Sequence, residues 1–142
     1  MRPPAHIRSH AWPRARWLKR AALIRPLFDR HRTDVATVSA GCIRFLYRWV
    51  DRSEVGPPVP FQVGLAPGRR VRPAVRRNRV RRLLREAVRQ HQQLLWEATW
   101  PREEVLTLMI LFRGDPTRDE PRIATDVPRA LGRLSDRLAP PA

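Results

Sequence analysis

Cysteine is nearly missing from this chain. Cys42 stands alone among 142 residues, which excludes an internal disulfide framework and any CxxC metal site and fits a reducing compartment. Lysine is reduced to Lys19, and acids are scarce: 13 against 29 basic residues, for a formal net charge of +16. That balance favours a nucleic-acid or anionic-membrane partner over a small acidic molecule. No apolar run approaches the roughly 20 residues of a membrane span, and the N-terminus has no apolar secretory core. Catalytic constellations are missing as well. There are no paired carboxylates at metal spacing, no Ser/His/Asp or Cys/His set and no P-loop. His6, His10, His31 and His91 show neither HExxH nor zinc-finger spacing. Asp115, Asp119 and Glu120 cluster, but polar loops carry such residues routinely.

What is there is arginine. Gly68 to Arg89 reads GRRVRPAVRRNRVRRLLREAVR, with ten arginines and Glu86 as its one acid. Val80, Leu83, Leu84, Ala87, Val88, His91 and Leu95 recur with the period of one helix face, so this face packs inward. Asn78, Arg81, Arg82, Arg85 and Arg89 project from the other side. Pro73 suits a first turn, and Gly68 to Arg72 reads as the loop entering the helix. Loop arginines and first-turn N–H groups would then converge on one place suited to phosphate oxygens. A solvated face usually mixes signs, and Glu86 can pair only with Arg82 or Arg89. Most of the arginines are left to meet an external anion.

Around this helix the chain reads as one domain, residues 18–139, behind a basic, proline-containing tail of residues 1–17. The tail is arginine-rich and acid-poor like a mitochondrial transit peptide, but Pro3, Pro4 and Pro13 interrupt any amphipathic helix there. Trp12 and Trp17 could stack on bases, or Trp17 could begin the core. Leu23, Ile24, Leu27 and Phe28 give a first helix within Leu18 to Arg30, with Pro26 as a kink. Val35 to Val38 and Cys42 to Val50 read as strands joined at Gly41, Phe61 to Ala66 as a third, and the apolar run Val105 to Phe112 as a central strand buried on both faces. Val127, Ala130, Leu131, Leu134 and Leu138 mark a last helix with Thr125 or Asp126 as cap. The expected fold is α/β (α+β): a two-layer sandwich in α-β-β-β-α-β-α order with a mostly antiparallel four-stranded sheet.

The stretch from Ala74 to Glu86, AVRRNRVRRLLRE, resembles the A-V-x-R-N-R-[VI]-[KR]-R-x-[LI]-R-E signature of the bacterial ribonuclease P protein family. About a dozen positions match in register with the helical period. Upstream, Gly68-Arg69-Arg70-Val71-Arg72-Pro73 stands where many members carry Ser-Lys-Lys-Val-Gly-Lys. The resemblance extends from about Leu18 to Leu138 and is sharpest over Val63 to Glu86.

The resemblance implies the accessory protein subunit of an endoribonuclease that removes the 5′ leader from precursor tRNA. The catalytic centre would lie in an RNA subunit that uses Mg²⁺, and the protein alone would be inactive. It implies a cytoplasmic protein with the ribonuclease P catalytic RNA and precursor tRNA as partners and no membrane, and no protein partner is inferred. It also implies a left-handed crossover through the basic helix, where a right-handed one is the rule. RNA-docking residues would be Arg69, Arg70, Arg72, Arg76, Arg77, Asn78, Arg79, Arg81, Arg82 and Arg85. A cleft between the first helix and the sheet would hold the leader, with Phe28, Phe45 and Tyr47 as stacking candidates, while the alternative for Phe28 and Phe45 is a place in the core. The alternative is a structural or ribosome-associated RNA-binding protein; a protein-only nuclease would need an acidic metal site that the sequence lacks.

Overall fold

The computed structural model describes residues 11–69 and 71–139. Four strands form one sheet in the order β1-β2-β4-β3: β1 (Ala36–Ala40), β2 (Ile43–Val50), β3 (Phe61–Ala66) and β4 (Val105–Phe112). The β1/β2 and β2/β4 pairings are antiparallel, and β3 runs parallel to β4. A parallel neighbour needs a crossover. Here it is built from α3 (Ala74–Gln90) and α4 (Gln92–Thr99). The apolar run of β4 lies between β2 and β3 and is covered on both faces, as its composition predicts.

Alternation along the strands separates two packing faces. Val38, Phe45, Tyr47, Phe61, Val63, Leu108 and Ile110 meet Val80, Leu84 and Val88 of α3, Leu95 of α4, and Val127, Leu131 and Leu134 of α5 (Ile123–Leu138). On the other face Leu46, Val50, Val105 and Met109 pack with Leu18, Leu23 and Leu27 from the N-terminal segment and Val55 from α2 (Arg52–Val55). The main pair of layers is the one expected, and the N-terminal segment adds a partial third.

Boundaries differ where local chemistry intervenes. The expected first helix is a four-residue α1 (Ala21–Ile24) continued by a 3₁₀ turn over Arg25–Phe28, because Pro26 lacks the N–H that an α-helix needs. The basic helix ends at Gln90, and His91 (φ −114°, ψ 19°) breaks the stripe before Leu95 and Trp96 rejoin the core from α4. The last helix starts at Ile123, ahead of both expected caps. A 3₁₀ turn over Glu120–Arg122 feeds it directly, and no side chain caps it. Of the expected tail, residues 1–10 lie outside the described residues. Trp12 packs against Trp17 with ring centroids 4.8 Å apart and against Phe61 at 5.6 Å, and Trp17 forms an isolated parallel bridge with Val63.

The two ends of the sheet differ in charge. At the end where β2 finishes and β4 begins, Asp51, Glu103 and Glu104 outnumber Arg52 and Arg102 around a recess with Trp96, Trp100, Pro58 and Pro60 in its walls. The opposite end carries the 67–73 loop, the start of α3 and the loop after β4.

Candidate nucleic-acid interface

The basic helix is held by four buried side chains, Val80, Leu84, Ala87 and Val88, and its remaining surface is largely arginine. Arg69, Arg72 and Arg82 are exposed and have no hydrogen-bond or ion-pair partner among the described residues. Arg70 lies outside the described residues. Arg77 donates through Nη1 to the Gly68 carbonyl, tying the entry loop to the first turn of α3. Gly68 allows this with φ +93°, a conformation that side chains disfavour, while a Cβ there would also press on the Phe112 carbonyl. Arg81 donates to Asn78 Oδ1 at 3.2 Å, and the Arg85 guanidinium lies 5.5 Å from the Trp17 ring centroid. The pairing of Glu86 with Arg89 follows the helical spacing.

Two of the motif arginines are committed elsewhere. Arg79 pairs with Glu120 through Nε, and Arg76 lies 3.9 Å from the same carboxylate while donating to the Pro116 carbonyl at 3.0 Å. Their sequence separation from Glu120 hides this link from any helical-spacing rule. The acids after β4 thus organise a loop. Asp115 Oδ1 accepts the N–H groups of Thr117 and Arg118, and those bonds hold its carboxyl below the ordinary range. Asp119 Oδ2 accepts the Asp115 N–H at 2.7 Å.

Asp126 is used differently from the cap expected of it. Its carboxylate accepts the Cys42 N–H at 3.0 Å beneath the β1–β2 turn, where a Cβ on Gly41 would collide with it. Burial pushes the Asp126 carboxyl up, but hydrogen bonds from Cys42 and the charge of Arg129 outweigh that and hold it below its usual value. The same burial, with Asp126 alongside, pushes the Cys42 thiol up to about 12. Cys42 is therefore a packed, inert thiol.

Phe28 is 48% exposed and borders two recesses that share Arg113 and Leu111. One, of about 600 Å³, has Leu65, Arg69, Arg77 and Arg81 in its walls. The other, of about 400 Å³, runs over the sheet past Arg44 and Leu46. Phe45 and Tyr47 are not in either lining. Phe45 is fully buried and Tyr47 is 7% exposed, both in the core beneath α3, α4 and α5. They share a strand face, as their alternation predicts, and that face is the one the helices cover. The cleft side of β2 carries Arg44 and Leu46, one residue out of step, since a shift of one position exchanges the faces of a strand. Arg44 stands opposite Leu111, which in turn stands opposite Ala66, so one row of the sheet floors the cleft.

Residues 13–135 match the family model described as Ribonuclease P. The chain belongs to the ribonuclease P protein family. The fold agrees. The structure of the Staphylococcus aureus RNase P protein superposes with a TM-score of 0.56 at 15% identity, over 83% of this chain and 94% of that one. Another structure of the RNase P protein from Staphylococcus aureus gives 0.54 at 13% identity, over 88% and 93%. Comparison with curated protein sequences gives no match. As a ribonuclease P protein the chain is a subunit of an endoribonuclease whose catalytic role lies with RNA. Among the described residues there is no group of three or more His, Cys, Asp or Glu that could hold a metal ion. No described helix is long and apolar enough to cross a membrane.

Proposed function

We propose that this ribonuclease P protein acts through two joined surfaces. The first is the arginine face of the entry loop and α3, which docks on the catalytic RNA. Arg69, Arg70, Arg72 and Arg82 meet its phosphates directly; Arg76, Arg77, Asn78, Arg79, Arg81 and Arg85 complete the face. Guanidinium groups suit this role because each can pair with a phosphate through two parallel hydrogen bonds. The second is the cleft at Phe28, which receives the 5′ leader of precursor tRNA. There the exposed Phe28 ring stacks on an unpaired base, a contact worth about 1–3 kcal/mol with little regard to sequence. Arg44 and Arg113 face the strand's phosphates in place of Phe45 and Tyr47.

The observation that carries this reading is the shared wall: Arg77 and Arg81 of the motif helix line the same recess as Phe28. A strand held under Phe28 lies against the helix that binds the catalytic RNA. The Mg²⁺ ions of the reaction are assigned to the RNA subunit, and this protein contributes affinity and placement. A buried free thiol and a tRNA-precursor substrate together favour the cytoplasm as its location.

The test is cleavage of a leader-bearing precursor tRNA by a bacterial-type ribonuclease P RNA at low Mg²⁺, with and without the protein. Stimulated cleavage at the mature 5′ end is expected, and changing Arg77 and Arg79 to alanine should abolish it. Tight RNA binding without stimulation by a compatible RNA would instead support a structural or ribosome-associated RNA-binding role. Metal-dependent cleavage by protein rigorously freed of RNA would contradict the assignment of catalysis to RNA.

A further inference from the structure

At this end of the sheet a third recess lies beyond the two of the cleft, and Arg113 is in the wall of these three. This one, of about 610 Å³, sits between the β1–β2 turn at Gly41 and Cys42 and the loop after β4, with Arg118 and Arg122 on its rim. It is a constructed feature. The Arg113 N–H donates to the Cys42 carbonyl at 2.7 Å, joining the loop to the turn. Asp119, 8% exposed, lies 3.6 Å from Arg118 Nε and 3.9 Å from Arg122 Nη1, while its other oxygen is held by the Asp115 N–H. Gly114 makes room for this carboxylate, since a Cβ there would meet the Asp119 side chain and the Cys42 Cβ. The lining carries three arginines and one carboxylate, while Asp115 and Asp126 lie behind it on backbone N–H groups, so the positive charge sits on the outer rim. Arg118 and Arg122 keep side-chain exposures of 81% and 69%, so their outer donors remain available.

We propose that the 5′ leader continues beyond the cleft, turns at Arg113 and lays its backbone phosphates on Arg118 and Arg122. This rests on the assignment of the Phe28 cleft to the leader and lengthens that site. Arg113 is two residues beyond Leu111, which floors the cleft, so a strand leaving at Arg113 meets the third recess next. That recess has no aromatic side chain in its lining. It therefore holds phosphates without stacking bases and adds affinity without adding sequence preference.

The experiment compares equilibrium binding by the reconstituted holoenzyme of two precursor tRNAs, one whose leader is confined to the cleft and one whose leader extends past Arg113. The unaltered holoenzyme should bind the longer one more tightly. The double variant Arg118→Ala/Arg122→Ala should lose roughly tenfold of affinity for the longer leader, the size of one or two charge-assisted phosphate contacts, and almost none for the shorter. Stimulation of short-leader cleavage should be unchanged, and an Arg118→Lys/Arg122→Lys variant should recover part of the lost affinity. Equal losses for both leaders, together with weaker binding to the catalytic RNA alone, would assign these arginines to the catalytic RNA and overturn the proposal. An unchanged preference for the longer leader in the alanine variant would overturn it as well. No effect of leader length in the unaltered holoenzyme would likewise overturn it, whereas failure of the cleft assignment gives a different result, namely equal binding of the short-leader precursor and a leaderless tRNA.

Discussion

Among the arginines of the motif, free and internally paired side chains should respond differently to removal. Arg82 has no partner among the described residues, whereas Arg79 is held by Glu120. Arg82→Ala should weaken RNA binding, reduce the salt slope by about 0.7–0.9 per lost phosphate contact, and leave the melting temperature unchanged. Arg79→Ala should weaken binding by about 1–3 kcal/mol and, by leaving Glu120 without this partner, also lower the melting temperature. A calorimetric melt beside an affinity titration separates the two effects, and a fall in melting temperature for Arg82→Ala would contradict its assignment to the outer surface. Asp126 is the opposite kind of residue. Replacing it with alanine leaves the buried Cys42 N–H without its acceptor, and a loss of about 1–3 kcal/mol is expected from denaturant unfolding. Its carboxyl titrates below the ordinary value in the folded chain, so its stabilisation is present above the unfolded-state pKa and is lost as pH falls through the folded one. Asp126→Asn should therefore flatten part of the acid-side decline in stability; an identical decline in both proteins would argue against this linkage.

At the scale of elements, periodicity was a good guide wherever one interaction dominated. The bounds of β3 and β4 follow from their apolar runs, and the inward face of α3 follows from Val80, Leu84 and Val88. Leu84→Ala should cost about 2–5 kcal/mol through the cavity it opens between α3 and the sheet, with urea unfolding as the check; a loss below about 1 kcal/mol would mean that the site collapses around the gap. The less legible features depend on contacts distant in sequence. Alternation identified Phe45 and Tyr47 as sharing a face but could not say which face the helices would cover. The pairing of Glu120 with Arg79 and the use of Asp126 at the β1–β2 turn arise only when the loop after β4 folds back onto α3 and β2. Trp12 likewise reads as a tail residue until Phe61 and Trp17 are placed beside it.

At the scale of the whole molecule, the net charge of +16 makes affinity for RNA strongly dependent on salt. About six phosphate contacts imply a slope of log affinity against log salt near −4 to −5. A slope near zero in a titration with monovalent salt would be incompatible with a phosphate-dominated interface. The excess charge is unevenly placed: Asp51, Glu103 and Glu104 offset Arg52 and Arg102 in the recess at one end of the sheet, whereas Arg69, Arg77, Arg81 and Arg113 line the recess at the other end with no acid among them. In the field of a folded RNA, that separation exerts a torque. On the proposed docking surface the protein would turn before it touches, arriving with Phe28 and the arginine loop foremost and the tryptophan-walled recess trailing, so fewer encounters would be wasted on the wrong face.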